Sequence, residues 1–329
     1  MRNWLTTNAL NTLKRPSTSV FLIAAVGLAL SLNYVEAKAN RPVIKTINFP
    51  KDYSLGLLCV IPYKPNDLAA SNQLAVSRQE AKGAVQIRDK GWVVLTGGYQ
   101  LAHNMRVLKS LRPDDLQVLD MYRTDVEDKD IQNISGLTGL VGLQLDETEI
   151  GDEGLKTFCH LPNLKFLSLS STQLTGSNLA CLVTLKNLKR LELGHNVLKK
   201  EYLSDLIKLR QVERLGLQGC RITDQDLETI SKLDNLRCLL LHENTQITDL
   251  GLKKIASLKK LLVLEITHAQ ITPNGLKALV DLPLKHLIIS KKQFTPSQIE
   301  RIKKLFPKAE IAVRDNSNRM DPELFRPLH

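Results

Sequence analysis

The chain has 329 residues and a formal net charge of +11, and only 5% of its residues are aromatic. This length fits two ordinary domains or one elongated repeat array, and the scarcity of aromatic residues argues against an aromatic-centred β-sandwich. The sequence contains none of the motifs that mark α/β-hydrolases, zinc proteases, P-loop proteins or dinucleotide-binding enzymes. We therefore expect a protein without catalytic residues and without a cofactor.

Residues 1–39 have the pattern of an export signal. A basic start that ends at Lys14 and Arg15 precedes the apolar run Val20–Leu32, and Ala37–Ala39 fits a small-x-small cleavage site. The apolar run has about 13 residues, fewer than the roughly 20 that cross a bilayer. We expect cleavage after Ala39 and an exported protein that is periplasmic, bound to the cell envelope or secreted. An uncleaved membrane anchor is the alternative.

The five cysteines show no paired spacing and their number is odd. Buried free cysteines behave as small hydrophobic residues. We therefore expect buried thiols and no disulfide framework.

Residues 40–115 predict a β-rich N-terminal capping region. Strands are predicted at Val43–Phe49, Ser54–Tyr63, Ala84–Arg88 and Trp92–Thr96. The turn sequence Asp89–Gly91 predicts a hairpin of the last two strands, and Leu101–Leu111 predicts a helix. Trp92 lies 24 residues before Leu116, so a degenerate repeat is expected to begin there.

From Leu116 the pattern L-x-x-L-x-L-x-x-(T/N/C)-x-(I/L/V) repeats about eight times, to residue 313. The repeats begin at Leu116, Leu140, Leu164, Leu188, Val212, Leu236, Leu261 and Leu284. Most steps are 24 residues long, with one step of 25 and one of 23. Each repeat predicts one strand and one helical segment, which cannot bury their apolar faces alone and must stack on neighbouring copies.

This pattern resembles the leucine-rich repeat. The helical halves ITDQDLETI (222–230) and ITDLGLKKI (247–255) look like the cysteine-containing, ribonuclease-inhibitor-like class. Together with FPKDYSLGLLCV (49–60), the whole chain resembles exported leucine-rich repeat proteins of planctomycete-like bacteria. The resemblance implies a right-handed α/β solenoid over 116–313, with a parallel sheet on its concave face and helices on its convex face. It also implies protein binding. Residues 314–329 lack the period and are expected to be a mobile tail.

The polar Thr, Asn or Cys of each repeat is predicted to be structural. It lies where the chain turns inward after the strand, and its side chain can bond backbone groups that would be costly to bury alone. These residues are Thr148, Thr172, Asn196, Cys220 and Asn244.

Residues that alternate with the leucines are expected to form the concave face, where apolar anchors surrounded by polar residues are typical of protein binding. The candidate partner-binding residues are Tyr122, Arg123, Asp146, Phe166, Arg190, Glu192, His195, Arg214, Gln218, Leu240, His242, Glu243, Glu265 and His268. The alternative is a face that is merely solvated. If the surface binds a partner, charge reversal at Arg190 and Arg214 should abolish binding without unfolding.

Three of these residues are histidines, which raises the question of a metal site. Strand spacing places His195 and His242 two repeats apart, roughly 10 Å, which is too far for ligands of one ion. A partial site of His242, Glu243 and His268 is left open, but we expect no bound metal.

Charge is unevenly distributed along the chain, since residues 114–160 carry −9 and residues 184–310 carry +9. Many lysines fall on the predicted helical side: Lys199, Lys200, Lys253, Lys254, Lys259, Lys260, Lys303 and Lys304. They keep a convex surface soluble, or they dock the protein to an anionic envelope polymer or membrane surface. The second reading is the alternative function, that of an envelope-associated structural protein. Nucleic acid is not expected as a partner, because the basic face lacks aromatic residues that stack on bases. We expect a monomer that binds a protein.

Overall fold

The computed structural model of the protein describes residues 42–61 and 77–314. The predicted export signal, residues 62–76 and residues 315–329 of the predicted tail lie outside the described residues. Among the helices in the described ranges, none is long and apolar enough to cross a membrane.

In the described part of the chain, the strands are β1 Lys45–Asn48, β2 Gly56–Ile61, β3 Ser77–Glu80, β4 Ala84–Ile87, β5 Trp92–Gly97, β6 Val118–Asp120, β7 Gly142–Gln144, β8 Phe166–Ser168, β9 Arg190–Glu192, β10 Arg214–Gly216, β11 Cys238–Leu240, β12 Val263–Glu265, β13 His286–Ser290 and β14 Glu310–Arg314. The α-helices are α1 Tyr99–His103, α2 Asp128–Ile131, α3 Asp152–Phe158, α4 Lys200–Leu203, α5 Asp224–Ile230, α6 Asp249–Ile255 and α7 Pro296–Leu305. Short 3₁₀ helices lie at Met105–Ser110, Gln132–Ile134, Leu179–Thr184, Ser204–Lys208, Gly275–Leu279 and Lys291–Gln293.

The strands β5 to β14 form one long parallel sheet in sequence order, and β2 and β3 extend it antiparallel at one edge. The register repeats from coil to coil, with Leu119 opposite Leu143 and Leu215 opposite Leu239. The sheet does not close on itself. The predicted α/β leucine-rich repeat solenoid is thus confirmed as the fold class.

The coil of β10 and α5 shows how one repeat is held. Leu215 and Leu217 of the strand side and Leu227 and Ile230 of the helix are at most 1% exposed. Burying each such side chain contributes roughly 1.5–3 kcal/mol. A seven-residue helix is too short to be stable alone in water, so α5 depends on this packing.

The start of α5 is held by a side-chain cap. Thr223 and Asp226 form a capping box at the start of α5. Aspartate side chains also bond to the next coil, which the sequence did not predict. Oδ1 of Asp224, the first residue of α5, accepts the backbone N–H of Thr248 at 2.8 Å, and its Oδ2 accepts the Thr248 hydroxyl at 2.6 Å. Asp249 accepts the same pair of bonds from Thr272 in the following coil. Asp224 and Asp249, the first residues of their helices, therefore join successive coils.

The structural role predicted for the Thr, Asn and Cys position is confirmed. Asn244 is fully buried, and its amide donates to the carbonyls of Leu217 and Leu241 at 2.8 and 2.9 Å. Its Oδ1 accepts the N–H of Ile222 at 2.8 Å. Asn196 repeats this arrangement one pair of coils earlier. Each asparagine thus satisfies backbone groups of two coils that would otherwise be buried without partners.

The predicted hairpin of 84–88 with 92–96 is wrong. Strand β4 pairs antiparallel with β1 in a separate two-stranded sheet, whereas β5 lies between β2 and β6 in the long sheet. Val94 lies opposite Val118 in parallel register. The 24-residue period therefore continues into β5, which confirms the degenerate repeat, and this pairing prevails over the local turn signal at Asp89–Gly91.

The expectation of no disulfide is also wrong, since Cys159 and Cys181 are bonded, with their Cα atoms 5.8 Å apart. Cys159 follows α3, and Cys181 lies in the helical segment of the next coil. The repeat therefore brings together two cysteines that are 22 residues apart, a spacing that no short motif reveals. Cys220 and Cys238 are buried free thiols, as predicted, and burial raises the pKa of each to about 11.

Candidate functional site

We define the open face as the side of the long sheet that carries the residues alternating with the core leucines, away from the helices. All fourteen predicted partner-binding residues lie on this face or in the turns at its strand ends, but their exposure differs. Arg123, His195, Glu243 and His268 are exposed; Tyr122, Asp146, Phe166, Arg190 and Arg214 are half-buried; Glu192, Gln218, Leu240, His242 and Glu265 are buried.

The middle of the open face holds a buried ion cluster of Arg190, Glu192 and Arg214, here called the charged centre. Glu192 is 3% exposed, and its Oε1 accepts from Nε of Arg190 at 2.9 Å and from Nε of Arg214 at 2.8 Å. Burial alone would raise the pKa of Glu192, but the two guanidinium groups hold it below its usual range. Burial and the like charge of Arg214 lower the pKa of Arg190 to about 10.

Glu192 therefore stays ionised, and its bonds fix the positions of both arginines. Removing or reversing one partner of a buried pair leaves an uncompensated charge, which is strongly destabilising. Charge reversal at Arg190 or Arg214 is thus expected to destabilise the fold, in contrast to the behaviour that the sequence predicts for a solvated recognition surface.

Apolar residues of the open face form two small clusters, one next to the charged centre and one at the N-terminal end of the sheet. Cys238, Leu240, Val263 and Ile288 pack together on β11–β13 and are each at most 1% exposed. At the other end, Ile61, Trp92, Val94 and Val118 form a second cluster. Phe166 lies under the guanidinium of Arg190, 4.8 Å from its ring centroid. The predicted anchor Leu240 is therefore part of a packed cluster.

Asp146 lies in the turn after β7, beside the buried Ser168. Its Oδ1 accepts the Ser168 hydroxyl and the Ser170 N–H, each at 2.6 Å. These bonds favour the carboxylate, but burial outweighs them and raises the pKa of Asp146 to about 6. Asp146 thus changes charge in a pH range where most carboxyl groups do not.

A second set of residues lies at the carboxyl ends of the strands, where seven consecutive repeats hold the same repeat position in the left-handed backbone region. We call this set the strand-end row: Arg123, Glu147, Ser171, His195, Gly219, Glu243 and His268. Each of these residues immediately precedes the structural Thr, Asn, Cys or Ala of its repeat. The six members with side chains are all exposed.

The backbone of the strand-end row is set by the solenoid. The N–H of His195 donates to Gln218 O at 2.5 Å, and that of Gly219 donates to His242 O at 2.9 Å. Each bond joins two neighbouring coils beyond the ends of their strands. A left-handed conformation costs a non-glycine residue about 1–2 kcal/mol, so the packing of the coils must impose it. The side chains of the row are not needed for this packing.

At the N-terminal end of the row, Arg123 and Glu147 form an ion pair with Nε and Oε2 2.5 Å apart. The Tyr122 hydroxyl donates to the other Glu147 oxygen at 2.9 Å. Partial burial and then this bond to the carboxylate raise the pKa of Tyr122 to about 12. Because the ion pair is exposed, solvent screens it and it adds little to the stability of the fold. The sequence did not predict Ser171 as a residue of the concave face, although its place just before the structural Thr172 identifies it.

Near the other end of the row, His195, His242 and Glu243 come together. Each offers one ligand atom, and these atoms all lie within 4.8 Å of one another. The His195 and His242 ring centroids are 5.7 Å apart, and His195 Nδ1 is 3.8 Å from Glu243 Oε2. The estimate of roughly 10 Å between the two histidines is wrong, and the partial site left open from the sequence contained His268 where the cluster has His195.

Gly219 explains why His195 reaches so far. This residue holds the row position between His195 and Glu243, and it has no side chain. A Cβ atom on Gly219 would lie only 2.6 Å from Nδ1 of His195. The imidazole of His195 therefore lies across the intervening coil and approaches the next one.

His242 is the buried member of this cluster. It is 5% exposed, and its Nδ1 atom has no hydrogen-bond partner among the described residues. Burial lowers the pKa of His242 to about 4, so its ring is uncharged at neutral pH. An uncharged imidazole is the form that binds metal ions.

The lysines of the helical face are exposed, as predicted, but several are paired with acidic neighbours. Lys254 is 2.5 Å from Glu228 of the preceding coil, and Lys303 is 2.8 Å from Glu300. Lys156 and Glu153 form a similar pair on α3. These partners reduce the local excess of positive charge on the helical face.

A family model described as a leucine-rich repeat matches residues 257–280. No curated protein matches the chain in sequence.

Three bacterial structures are among the solved structures similar to this chain. Internalin C2 of Listeria monocytogenes is 22% identical, with 65% of this chain and 92% of that one covered and a TM-score of 0.46. A leucine-rich repeat protein of Leptospira interrogans is 25% identical, with 66% and 57% covered and a TM-score of 0.44. An internalin (inlF) of L. monocytogenes is 17% identical, with 69% and 82% covered and a TM-score of 0.39.

Proposed function

We propose that this protein is a non-catalytic scaffold that binds a partner protein through the open face of its solenoid, with the strand-end row as the main contact surface. The observation that carries this proposal is the exposure of all six row side chains beside a charged centre that is buried. Leucine-rich repeat proteins generally bind protein partners. The row adds a polar surface that can change without disturbing the core.

The dimensions of the row fit a protein interface. Seven members on successive coils, each roughly 4.8 Å from the next, span about 29 Å. A typical stable interface buries about 800 Å² on each partner, which corresponds to a patch of similar width. The row carries charges of both signs, with Arg123 and Glu147 at one end and Glu243 near the other. Such a pattern favours a partner of mixed charge over a uniformly anionic polymer.

We also propose that the mature protein acts outside the cytoplasm. The predicted signal at residues 1–39 motivates this proposal, and the disulfide between Cys159 and Cys181 supports it. Structural disulfides persist in oxidising compartments and are rare in the cytosol. Mass analysis of the mature N-terminus tests the proposal, which requires a chain that begins near residue 40 or an uncleaved chain in the membrane fraction.

The binding surface is tested by crosslinking and affinity capture from the native envelope fraction. A row variant carries Glu147→Lys and His268→Asp, both at exposed positions. A matched control carries Lys259→Glu and Lys304→Glu on the helical face. We expect wild type and control to capture one stoichiometric polypeptide and the row variant to lose it.

The same experiment addresses docking through the helical lysines, the alternative from the sequence. That function predicts heterogeneous anionic material, release by salt, and loss in the lysine variant with retention in the row variant. Such a result would overturn the proposed binding surface.

A further inference from the structure

We propose that His195, His242 and Glu243 form a binding site for one divalent transition-metal ion of the zinc class. The site lies at the carboxyl ends of β9 and β11, with Gly219 of the coil between them. This inference stands apart from the proposed protein binding, because it depends only on the donor atoms and their geometry.

The donor set is one that zinc uses. Two imidazole nitrogens and one carboxylate oxygen form a frequent three-ligand zinc set that leaves a fourth position open. The three ligand atoms already lie within 4.8 Å of one another. Bonds of about 2.0–2.2 Å in a tetrahedral site place ligand atoms roughly 3.3–3.6 Å apart. Small side-chain rotations of the exposed His195 and Glu243 are therefore sufficient to close the site.

His242 is the fixed member of the site. His242 is 5% exposed, and its Nδ1 atom lacks a hydrogen-bond partner in the described part of the chain. Buried polar atoms in native proteins are nearly always satisfied, and an ion is one of the groups that can satisfy them. At the equivalent position of the next coil, the buried Thr267 hydroxyl also lacks a partner among the described residues. Two neighbouring buried polar atoms are thus left without a hydrogen-bond partner among the described residues.

The backbone positions the two exposed ligands, His195 and Glu243. His195 and Glu243 both belong to the strand-end row and have φ values of 56° and 61°. Their shared left-handed conformation directs both side chains from the same edge of the sheet, two coils apart. Gly219 leaves the space between them free, because a Cβ there would lie 2.6 Å from His195 Nδ1. Gly219 is therefore a positioning residue that binds no metal itself.

Zinc titration of the full mature protein, followed by calorimetry, tests the proposal. We expect one Zn²⁺ per chain and at least a tenfold loss of affinity in His195→Ala and in Glu243→Gln. Both positions are exposed, so these variants are expected to fold. The control is His160→Ala, an exposed histidine on the helical side, which should bind Zn²⁺ as wild type does.

Two further measurements separate ligation from indirect effects. Co²⁺ in place of Zn²⁺ should give the visible absorption of a tetrahedral site with nitrogen and oxygen donors, and His195→Ala should abolish it. Gly219→Ala removes no ligand, yet it should weaken binding severalfold because it displaces the His195 ring.

Three results would overturn the metal site. One is the absence of saturable 1:1 binding to wild type. Another is unchanged Zn²⁺ affinity in His195→Ala or in Gly219→Ala. The third is an equal loss of affinity in His160→Ala, which would place the bound ion elsewhere on the surface.

Discussion

The charged centre and the strand-end row occupy the same face of the same sheet, yet they differ in what their side chains can do. In the centre, Glu192 lies buried between two arginines and accepts a hydrogen bond from each. In the row, side chains such as His195 are exposed, and the backbone N–H groups of Glu147 and His195 donate to the next coil. Both sets are polar residues in the same repeats. Polarity alone therefore does not distinguish a binding surface from a structural ion cluster.

Two glycines of one coil help to produce this difference. A Cβ on Gly216 would lie 1.8 Å from Glu192 Oε2, so the glutamate of the preceding coil occupies the space above this glycine. Gly219 receives the His195 ring in the same way. In both cases a long side chain leans over a coil that lacks one. The first case buries a charge, and the second brings together two histidines that lie two coils apart.

The largest expected effect separates the two regions directly. Glu192→Ala leaves Arg190 and Arg214 buried side by side, so the free energy of unfolding should fall by about 3–5 kcal/mol. Glu243→Ala, at an exposed row position, should change it by at most about 0.5 kcal/mol. Urea unfolding of both variants measures the difference. Equal losses would show that the row is as structural as the centre.

A smaller effect is expected at Asn244, which directly follows the row residue Glu243. Asn244→Ala removes the partners of two buried carbonyls and one N–H, and the loss of stability should be about 2–3 kcal/mol. The half-buried Asn235, whose side-chain amide donates one solvent-exposed bond to Arg210 O at 2.9 Å, is the matched control. Asn235→Ala should cost about 0.5–1 kcal/mol. If the two variants unfold at the same urea concentration, the buried asparagine ladder is not a main support of the coils.

The smallest effect concerns the pH dependence of stability at Asp146. Its pKa in the folded protein is raised to about 6, whereas an unfolded aspartate has a pKa of about 3.9. The folded state therefore binds the extra proton, and the stabilisation is complete below pH 4 and lost as pH rises through 6. Relative to Asp146→Asn, wild type should lose about 1–2 kcal/mol between pH 4 and 7. Parallel stability curves for the two proteins would contradict the raised pKa.

Much of the fold follows from the sequence because its determinants repeat. Leu215 and Asn244 can be assigned to core and backbone bonding from the 24-residue period alone. The pairing of β4 with β1 and the bond between Cys159 and Cys181 cannot, since they join residues that only the stacked coils bring together. Alternation correctly placed Glu192 and His195 on the open face. It could not show that one is buried and that the other crosses Gly219, because both outcomes depend on side chains missing from the next coil.

The assignment of the binding surface to the strand-end row is tested most directly by site-specific photocrosslinking in the native envelope fraction. A photoreactive residue at His268 samples the strand-end row, and one at Lys254 samples the helical face. We expect a single discrete adduct from position 268 and none from position 254. A discrete adduct from position 254 alone would contradict the assignment of the binding surface to the open face.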